Sequence, residues 1–283
     1  MTKIVVTTDF SANSKAALRF AIQLASQYEV ALTFLHVQHV MRMTSWNDAT
    51  YAGYEKSETA KAQTTLDRFV LSIYDKLSIY DKLELSPANY TCVIQNSPLV
   101  DGVIMGYAAD HAFDFICISA RGAGTFEKLF GTTTANLINQ SPVPVIAVPG
   151  AYRATKLTSI LYASDLSRLE PQIKRVVDFA RPLAATIKLL HFSNFGEPVT
   201  DPEIIDMAVR KFTDYPIHAQ LTPRDLEKTV VADIESVVKA EKPSLLIMFT
   251  HQNEGFFSRL FGTGNSVDYS FLTTVPLLIF GKG

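Results

Sequence analysis

An internal duplication restricts the fold of this chain more than any other feature. Ile4-Val5-Val6-Thr7-Thr8-Asp9-Phe10-Ser11 is a short apolar run closing on an acidic, hydroxyl-rich turn, and Ile160-Leu161-Tyr162-Ala163-Ser164-Asp165-Leu166-Ser167 repeats it 156 positions later. Thr33-Phe34-Leu35-His36-Val37 pairs with Lys188-Leu189-Leu190-His191-Phe192 at an offset of 155. Late in each half, Phe126-Glu127-Lys128-Leu129-Phe130-Gly131-Thr132 pairs with Phe257-Ser258-Arg259-Leu260-Phe261-Gly262-Thr263 at an offset of 131. Each half then closes on an X-Pro-apolar run, Val143-Pro144-Val145-Ile146-Ala147-Val148 and Val275-Pro276-Leu277-Leu278-Ile279-Phe280. Matched segments in one order argue for two copies of one supersecondary unit. A chain of 283 residues has room for both.

The falling offset means that about 25 residues of the first half have no counterpart in the second. Most of that excess is assigned to an insertion near 38–65, a polar stretch of little periodicity with Met41, Met43 and the single tryptophan, Trp46. A direct repeat adds to it: Leu71-Ser72-Ile73-Tyr74-Asp75-Lys76 recurs as Leu77-Ser78-Ile79-Tyr80-Asp81-Lys82. This reads as a lengthened helix. Six residues turn a helix by about 600°, so the apolar face beyond the repeat is displaced by about 120°.

Within each half, strands alternate with helices. Residues 12–27 carry Ala16, Ala17, Phe20, Ala21, Leu24 and Ala25 at helical spacing, with Ser11 as a cap and Ser14-Lys15 on a polar first turn. Strands are expected over 30–37, 114–119 and 144–148, then near 159–163, 186–192, 215–221, 243–249 and 275–280. Near-continuous apolar runs separated by helices point to parallel sheets covered on both faces. The fold class is α/β, as two tandem five-stranded, doubly wound domains at 1–150 and 151–283, divided at the turn Pro149–Arg153.

Composition excludes several function classes. The 26 basic residues face 28 acidic ones, and the halves balance separately, with 11 against 13 and 15 against 15. Neither half offers the basic face of a nucleic-acid binder. Two cysteines make no disulfide framework and fit a reducing compartment. No apolar run is long enough for a membrane helix and the chain opens without a signal-peptide pattern, so a cytoplasmic protein with no membrane partner is expected. The six histidines show no metal spacing, and no serine stands in a nucleophile elbow. His36 and His191, at equivalent strand ends among apolar neighbours, read as half-buried structural side chains. Cys92 and Cys117 read as small buried thiols.

An open parallel sheet binds ligands beyond the carboxyl ends of its strands, where the strand order reverses. The exits to inspect are Thr7-Thr8-Asp9, His36-Val37 and Ser119-Ala120-Arg121-Gly122-Ala123-Gly124. Beyond them, Gly131-Thr132-Thr133-Thr134 opens a helix through Ala135, Leu137 and Ile138. Glycines admit phosphate to backbone N–H groups, a helix N-terminus offers unpaired donors, and Thr132, Thr134 and Arg121 can add hydrogen bonds and charge. There is no G-x-x-x-x-G-K-[ST] loop and no complete G-x-G-x-x-G. Spacing alone leaves both a phosphate loop and a mere strand terminus open.

Taken together, the Asp-Phe-Ser turn, the Leu-His-Val strand end, the Ser119–Thr134 loop and the Pro-Val-Ile-Ala-Val closing strand resemble the universal stress protein family, here as a tandem of two family domains. The resemblance implies an adenine nucleotide alpha hydrolase-like fold and a cytoplasmic stress-response function. In many members it also implies ATP binding through a G-x2-G-x9-G-[ST] loop. Carried over by position, Thr8 and Asp9 lie by the adenosine and Val37 meets adenine through its backbone. Gly122, Gly131 and Thr132 match positions that hold ribose and phosphates, and Thr134 joins them as a hydroxyl donor. Ser119 stands where the family has its first glycine, and only eight residues separate Gly122 from Gly131. The expected ligand is an adenine nucleotide, ATP with Mg, in domain 1 only. In domain 2, Asn253 replaces Gly122 and Glu254 sets negative charge beside any phosphate, so that site is read as degenerate. Apart from Asp9 no general base is evident, so at most a weak ATPase is expected. Pairing through the last strand, frequent in the family, implies an internal pseudo-dimer and leaves a further homodimer open. The alternative is a scaffold protein that binds protein partners through 38–65 and no nucleotide.

Overall fold

The computed structural model of the chain describes residues 1–80, 90–120, 132–193, 201–225, 227–228, 230–250 and 275–281. The chain divides into two compact units, one built from Met1–Arg121 and Phe130–Ala154, the other including Thr155–Gly283. In the first unit, β1 (Thr2–Thr7), β2 (Val30–Gln38), β3 (Tyr90–Asn96), β4 (Phe115–Ala120) and β5 (Val145–Pro149) lie in the order β3-β2-β1-β4-β5. Every neighbouring pair among them is parallel. The helices are α1 (Lys15–Ala25), α2 (Asp48–Tyr80), α3 (Val100–Asp110) and α4 (Thr132–Gln140). Ile4, Val5 and Val6 of the central strand are fully buried. Helices on both faces require that: a parallel strand has no solvated side, so it reads as an unbroken apolar run.

The second unit repeats the plan. Strands β6 (Ser159–Ala163), β7 (Thr186–Ser193), β8 (Ile217–Pro223), β9 (Leu245–Thr250) and β10 (Leu277–Gly281) run parallel in the order β8-β7-β6-β9-β10. Helices α5 (Leu169–Ala180), α6 (Pro202–Arg210) and α7 (Val230–Glu241) accompany them. Both units therefore have the doubly wound α/β fold expected from the sequence.

Two helices depart from expectation in detail. The first, α1, begins at Lys15, so Ser11 caps the turn that leads into the helix: its Oγ accepts the Ser14 N–H at 3.2 Å. Ser14 itself is buried, donating its hydroxyl to the Ser11 carbonyl at 2.9 Å. The second, α2, takes up the extra length of the first half. It has 33 residues where α6 has 9, and spans about 50 Å. The first copy of the hexapeptide and the second as far as Tyr80 lie within one helix, and their leucines face differently, as the 120° displacement requires: Leu71 is 46% exposed and its copy Leu77 is 1% exposed.

The first half of α2 meets the sheet through polar side chains set four residues apart. The Tyr51 hydroxyl donates to the Val40 carbonyl at 3.3 Å, and Asn96 donates its amide to Glu55. Gln38 donates to the Thr59 hydroxyl at 3.2 Å, and Gln63 donates to the Cys92 carbonyl at 3.2 Å. From Leu66 onward the contact is apolar, through Leu66, Val70, Ile73, Tyr74 and Leu77. Cys117 is buried and Cys92 half-buried. Burial, together with the neighbouring Asp67, pushes the Cys92 thiol up to about 12, so it stays protonated at neutral pH.

Candidate functional site

The first unit's chain lays β2 and β3 on one side of β1, then crosses to place β4 and β5 on the other. The reversal lies between β1 and β4, where doubly wound sheets open a crevice at their carboxyl ends. Register fixes what faces it. Val6 pairs with Cys117, so continuing the ladder brings Thr8 level with Ser119. On the other flank the last rung is the Thr8 N–H on the Leu35 carbonyl at 3.0 Å. Backbone polar groups alternate sides along a strand. Leu35 faces β1, and Gln38 faces β3, where its carbonyl accepts the Ser97 N–H at 2.8 Å. The N–H and C=O of Val37 therefore point to the β1 side, one step beyond the last rung, where β1 has already turned away. The exits of β2, β1 and β4 span about 10 Å.

The turn after β1 is built from its own hydroxyls. Thr8 is buried, its Oγ1 lying 2.9 Å from Ser14 Oγ and accepting the Phe10 N–H at 3.1 Å. Asp9 is exposed, and its Oδ1 accepts the Ser11 N–H at 3.0 Å. Partial burial alone would push the Asp9 carboxyl up. Hydrogen bonds from Ser11, side chain and backbone, and from Ser14 outweigh it and hold the carboxyl below its ordinary value. Asp9 is therefore an anion at neutral pH. Phe10 sits at φ 62°, its ring 4.2 Å from that of His36 and 5.6 Å from that of Phe69. His36 places Nδ1 2.8 Å from the Thr8 carbonyl. A carbonyl only accepts, so Nδ1 carries the proton and the ring staples β2 to the turn. That is the structural role its apolar surroundings imply.

The second unit repeats four of these bonds. The Ser164 N–H donates to the Leu190 carbonyl at 2.9 Å, and the Leu166 N–H to Ser164 Oγ at 3.0 Å. The Ser167 N–H donates to Asp165 Oδ1 at 3.0 Å, and His191 Nδ1 lies 2.9 Å from the Ser164 carbonyl. Leu166, like Phe10, is left-handed, with φ 60°.

Across the crevice the Ser119 hydroxyl accepts the Ala17 N–H at 2.8 Å, pinning α1 to β4. Thr132 is exposed as the first residue of α4, where backbone N–H groups lack helical acceptors. Thr134 is buried two residues on. The structure thus brings Thr8, Asp9, Val37 and Ser119 to neighbouring strand exits. Gly122, Gly131 and Arg121 lie outside the described residues. In sequence, ten residues follow β4 before Gly131, and eleven follow β9 before Gly262. Three supporting side chains escaped sequence reasoning. Asn136 of α4 donates to Asp101 of α3 at 2.5 Å, and Arg19 donates to the Tyr152 carbonyl beyond β5 at 3.1 Å. Only the last could have been found, because Arg175 stands 156 positions after Arg19 and reaches the Gly281 carbonyl at 3.1 Å. Among the described residues, no three His, Cys, Asp or Glu side chains gather to hold a metal, and no helix is long and apolar enough to cross a membrane.

A model of the universal stress protein family matches residues 1–149. Among solved structures, a universal stress protein from Archaeoglobus fulgidus DSM 4304 has a TM-score of 0.71 at 15% identity, covering 99% of this chain and 98% of its own. A functionally unknown protein from Pseudomonas aeruginosa PAO1 has a TM-score of 0.52 at 14% identity, covering 99% and 92%. A universal stress protein family protein from Arabidopsis thaliana, with AMP bound, has a TM-score of 0.34 at 18% identity, covering 53% and 92%. At these identities the first two likenesses speak for the fold. No curated protein matches the sequence.

Proposed function

The chain belongs to the universal stress protein family, and from that premise we propose that its first unit binds an adenine nucleotide at the crevice between β1 and β4. The observation that carries this reading is the Val37 backbone, which turns an N–H and a C=O to the same side beyond the last rung of β1 and β2. Adenine presents an acceptor and a donor side by side on its pairing edge, so one strand residue can read both. Asp9, an anion held in place by Ser11, accepts hydrogen bonds from the ribose hydroxyls. Thr8 and Ser119 shape the crevice walls through their bonds to Ser14 and Ala17. Phosphates run toward Thr132, where the start of α4 favours an anion, and Gly122 and Gly131 match the family's phosphate loop by sequence position. ATP is the fullest ligand this line accommodates, with Mg2+ arriving on the phosphates. Asp9 stands at the nucleoside end, so the unit stores or senses the nucleotide rather than hydrolysing it quickly, in a cytoplasmic stress-response role.

Titration calorimetry with AMP and then Mg-ATP tests the assignment. Binding is expected, and Asp9→Ala is expected to weaken it about tenfold or more, since it removes a charged acceptor. No heat at millimolar nucleotide from a folded protein would remove the reading. A second reading, a partner surface at 38–65, is favoured by the exposure of Met41 and Met43 beside Trp46, whose ring lies 4.8 Å from that of Tyr54. A Met41→Ser, Met43→Ser double variant that keeps every co-purifying protein would sink it.

A further inference from the structure

We infer that residues 48–65, the first half of α2, form a latch over the exits of β2 and β3 that opens as one unit while the second half of the helix stays in place. The helix changes its means of attachment at Leu66. Leu66, Val70, Ile73, Tyr74 and Leu77 are buried against the domain, whereas none of residues 41–65 is. The first half is held instead by its polar rungs, Tyr51 on Val40, Glu55 on Asn96 and Thr59 on Gln38. Hydrogen bonds at a solvent rim are exchanged for bonds to water on opening and resist little. Buried Leu and Val side chains resist strongly. Regions attached this way populate the low-stability end of local opening.

The segment before the helix is tied to the same body. Arg42 forms a 2.7 Å ion pair with Asp48 and donates to the Trp46 carbonyl at 3.0 Å, while Trp46 packs on Tyr54. Opening therefore carries 41–65 together. The rungs end on Gln38, Val40 and Asn96, and Gln38 directly follows Val37, so the latch controls access to the β2 exit. The importance of that access for a ligand rests on the nucleotide reading above; the latch does not. Asn96 links the two: its Oδ1 accepts the Val40 N–H at 2.8 Å while its amide donates to Glu55. The Val40 amide is thus a built-in reporter of the exit.

Hydrogen exchange on the full chain without nucleotide decides the matter, and so cannot fail for lack of binding. Amides 51–63 and Val40 are expected to share one opening, at least tenfold less protected than amides 67–77. Glu55→Ala is expected to reduce protection of 51–63 about fivefold and leave 67–77 unchanged. Even protection along α2, a Glu55→Ala effect equal in both halves, or a Val40 amide that exchanges only with global unfolding would each overturn the latch.

Discussion

Phe10 and Leu166 adopt φ values of 62° and 60°, a region that disfavours residues with a Cβ by about 1–2 kcal/mol. Both directly follow the aspartate of their turn, and the conformation lets that carboxylate accept the N–H two residues on. Such strain persists where surrounding contacts over-determine it, and the Phe10 ring against His36 and Phe69 supplies those contacts. The repetition of Asp-Phe-Ser as Asp-Leu-Ser was legible in the sequence. The left-handed backbone was not, because neither residue prefers it locally. Ala112 and Ala184 share the conformation at φ 50°, on exposed turns without comparable packing. There the left-handed penalty exceeds the roughly 0.5–1 kcal/mol of extra chain entropy that glycine brings to the unfolded state. Ala112→Gly and Ala184→Gly are each expected to raise stability by about 0.5–1 kcal/mol in urea titrations. A loss of stability from both would refute the argument.

Among the elements, α2 shows where sequence reading succeeds and where it fails. The buried strands were legible because a doubly covered strand must be apolar throughout, and β6 falls on the expected 159–163, whereas the half-exposed β3 has no expected range. The helix after Leu66 was legible for the same reason, as a duplicated apolar motif. Residues 48–65 were not, because Tyr51, Glu55, Thr59 and Gln63 make a helical period out of polar side chains, and hydrophobic periodicity does not register it. The edge strands explain part of that polarity. Gln63 covers the Cys92 carbonyl of β3, and Asp206 of α6 accepts the Ala219 N–H of β8 at 2.9 Å. Both edges thus present fewer open backbone groups to another chain. The hexapeptide repeat gives this helix its own test. Leu77→Ala should destabilise by about 2–4 kcal/mol and Leu71→Ala by less than about 0.5, since only the first empties a packed site. Equal losses in thermal unfolding would mean that the repeat does not rotate the apolar face.

Across the whole molecule the two units keep one turn and diverge behind it. Asp9 and Asp165 align Val6 with Tyr162. The ladders then align Ser119 with Phe249 and Val148 with Phe280. Two small or aliphatic side chains and one hydroxyl in the first unit thus become three aromatic rings in the second. Phe249 stacks on Phe280 at 5.0 Å and meets the edge of Tyr162 at 5.7 Å. The Tyr162 hydroxyl lies within the group, bonded to Gln172 and, at 3.0 Å, to Ser164 Oγ. In the sequence, Asn253 and Glu254, which lie outside the described residues, are the reason for expecting this copy to be degenerate. The ring cluster was hidden, because Val6 and Tyr162 read alike as apolar strand residues. With Phe249 in the place of Ser119, the second unit lacks the hydroxyl that stands at the first unit's β4 exit, while the Asp165 turn persists as architecture. Saturating nucleotide should therefore bind at one equivalent per chain, and Asp165→Ala should leave its affinity unchanged within about twofold, against the loss expected for Asp9→Ala. Two equivalents per chain, or a matching loss from Asp165→Ala, would show that both copies remain binding sites.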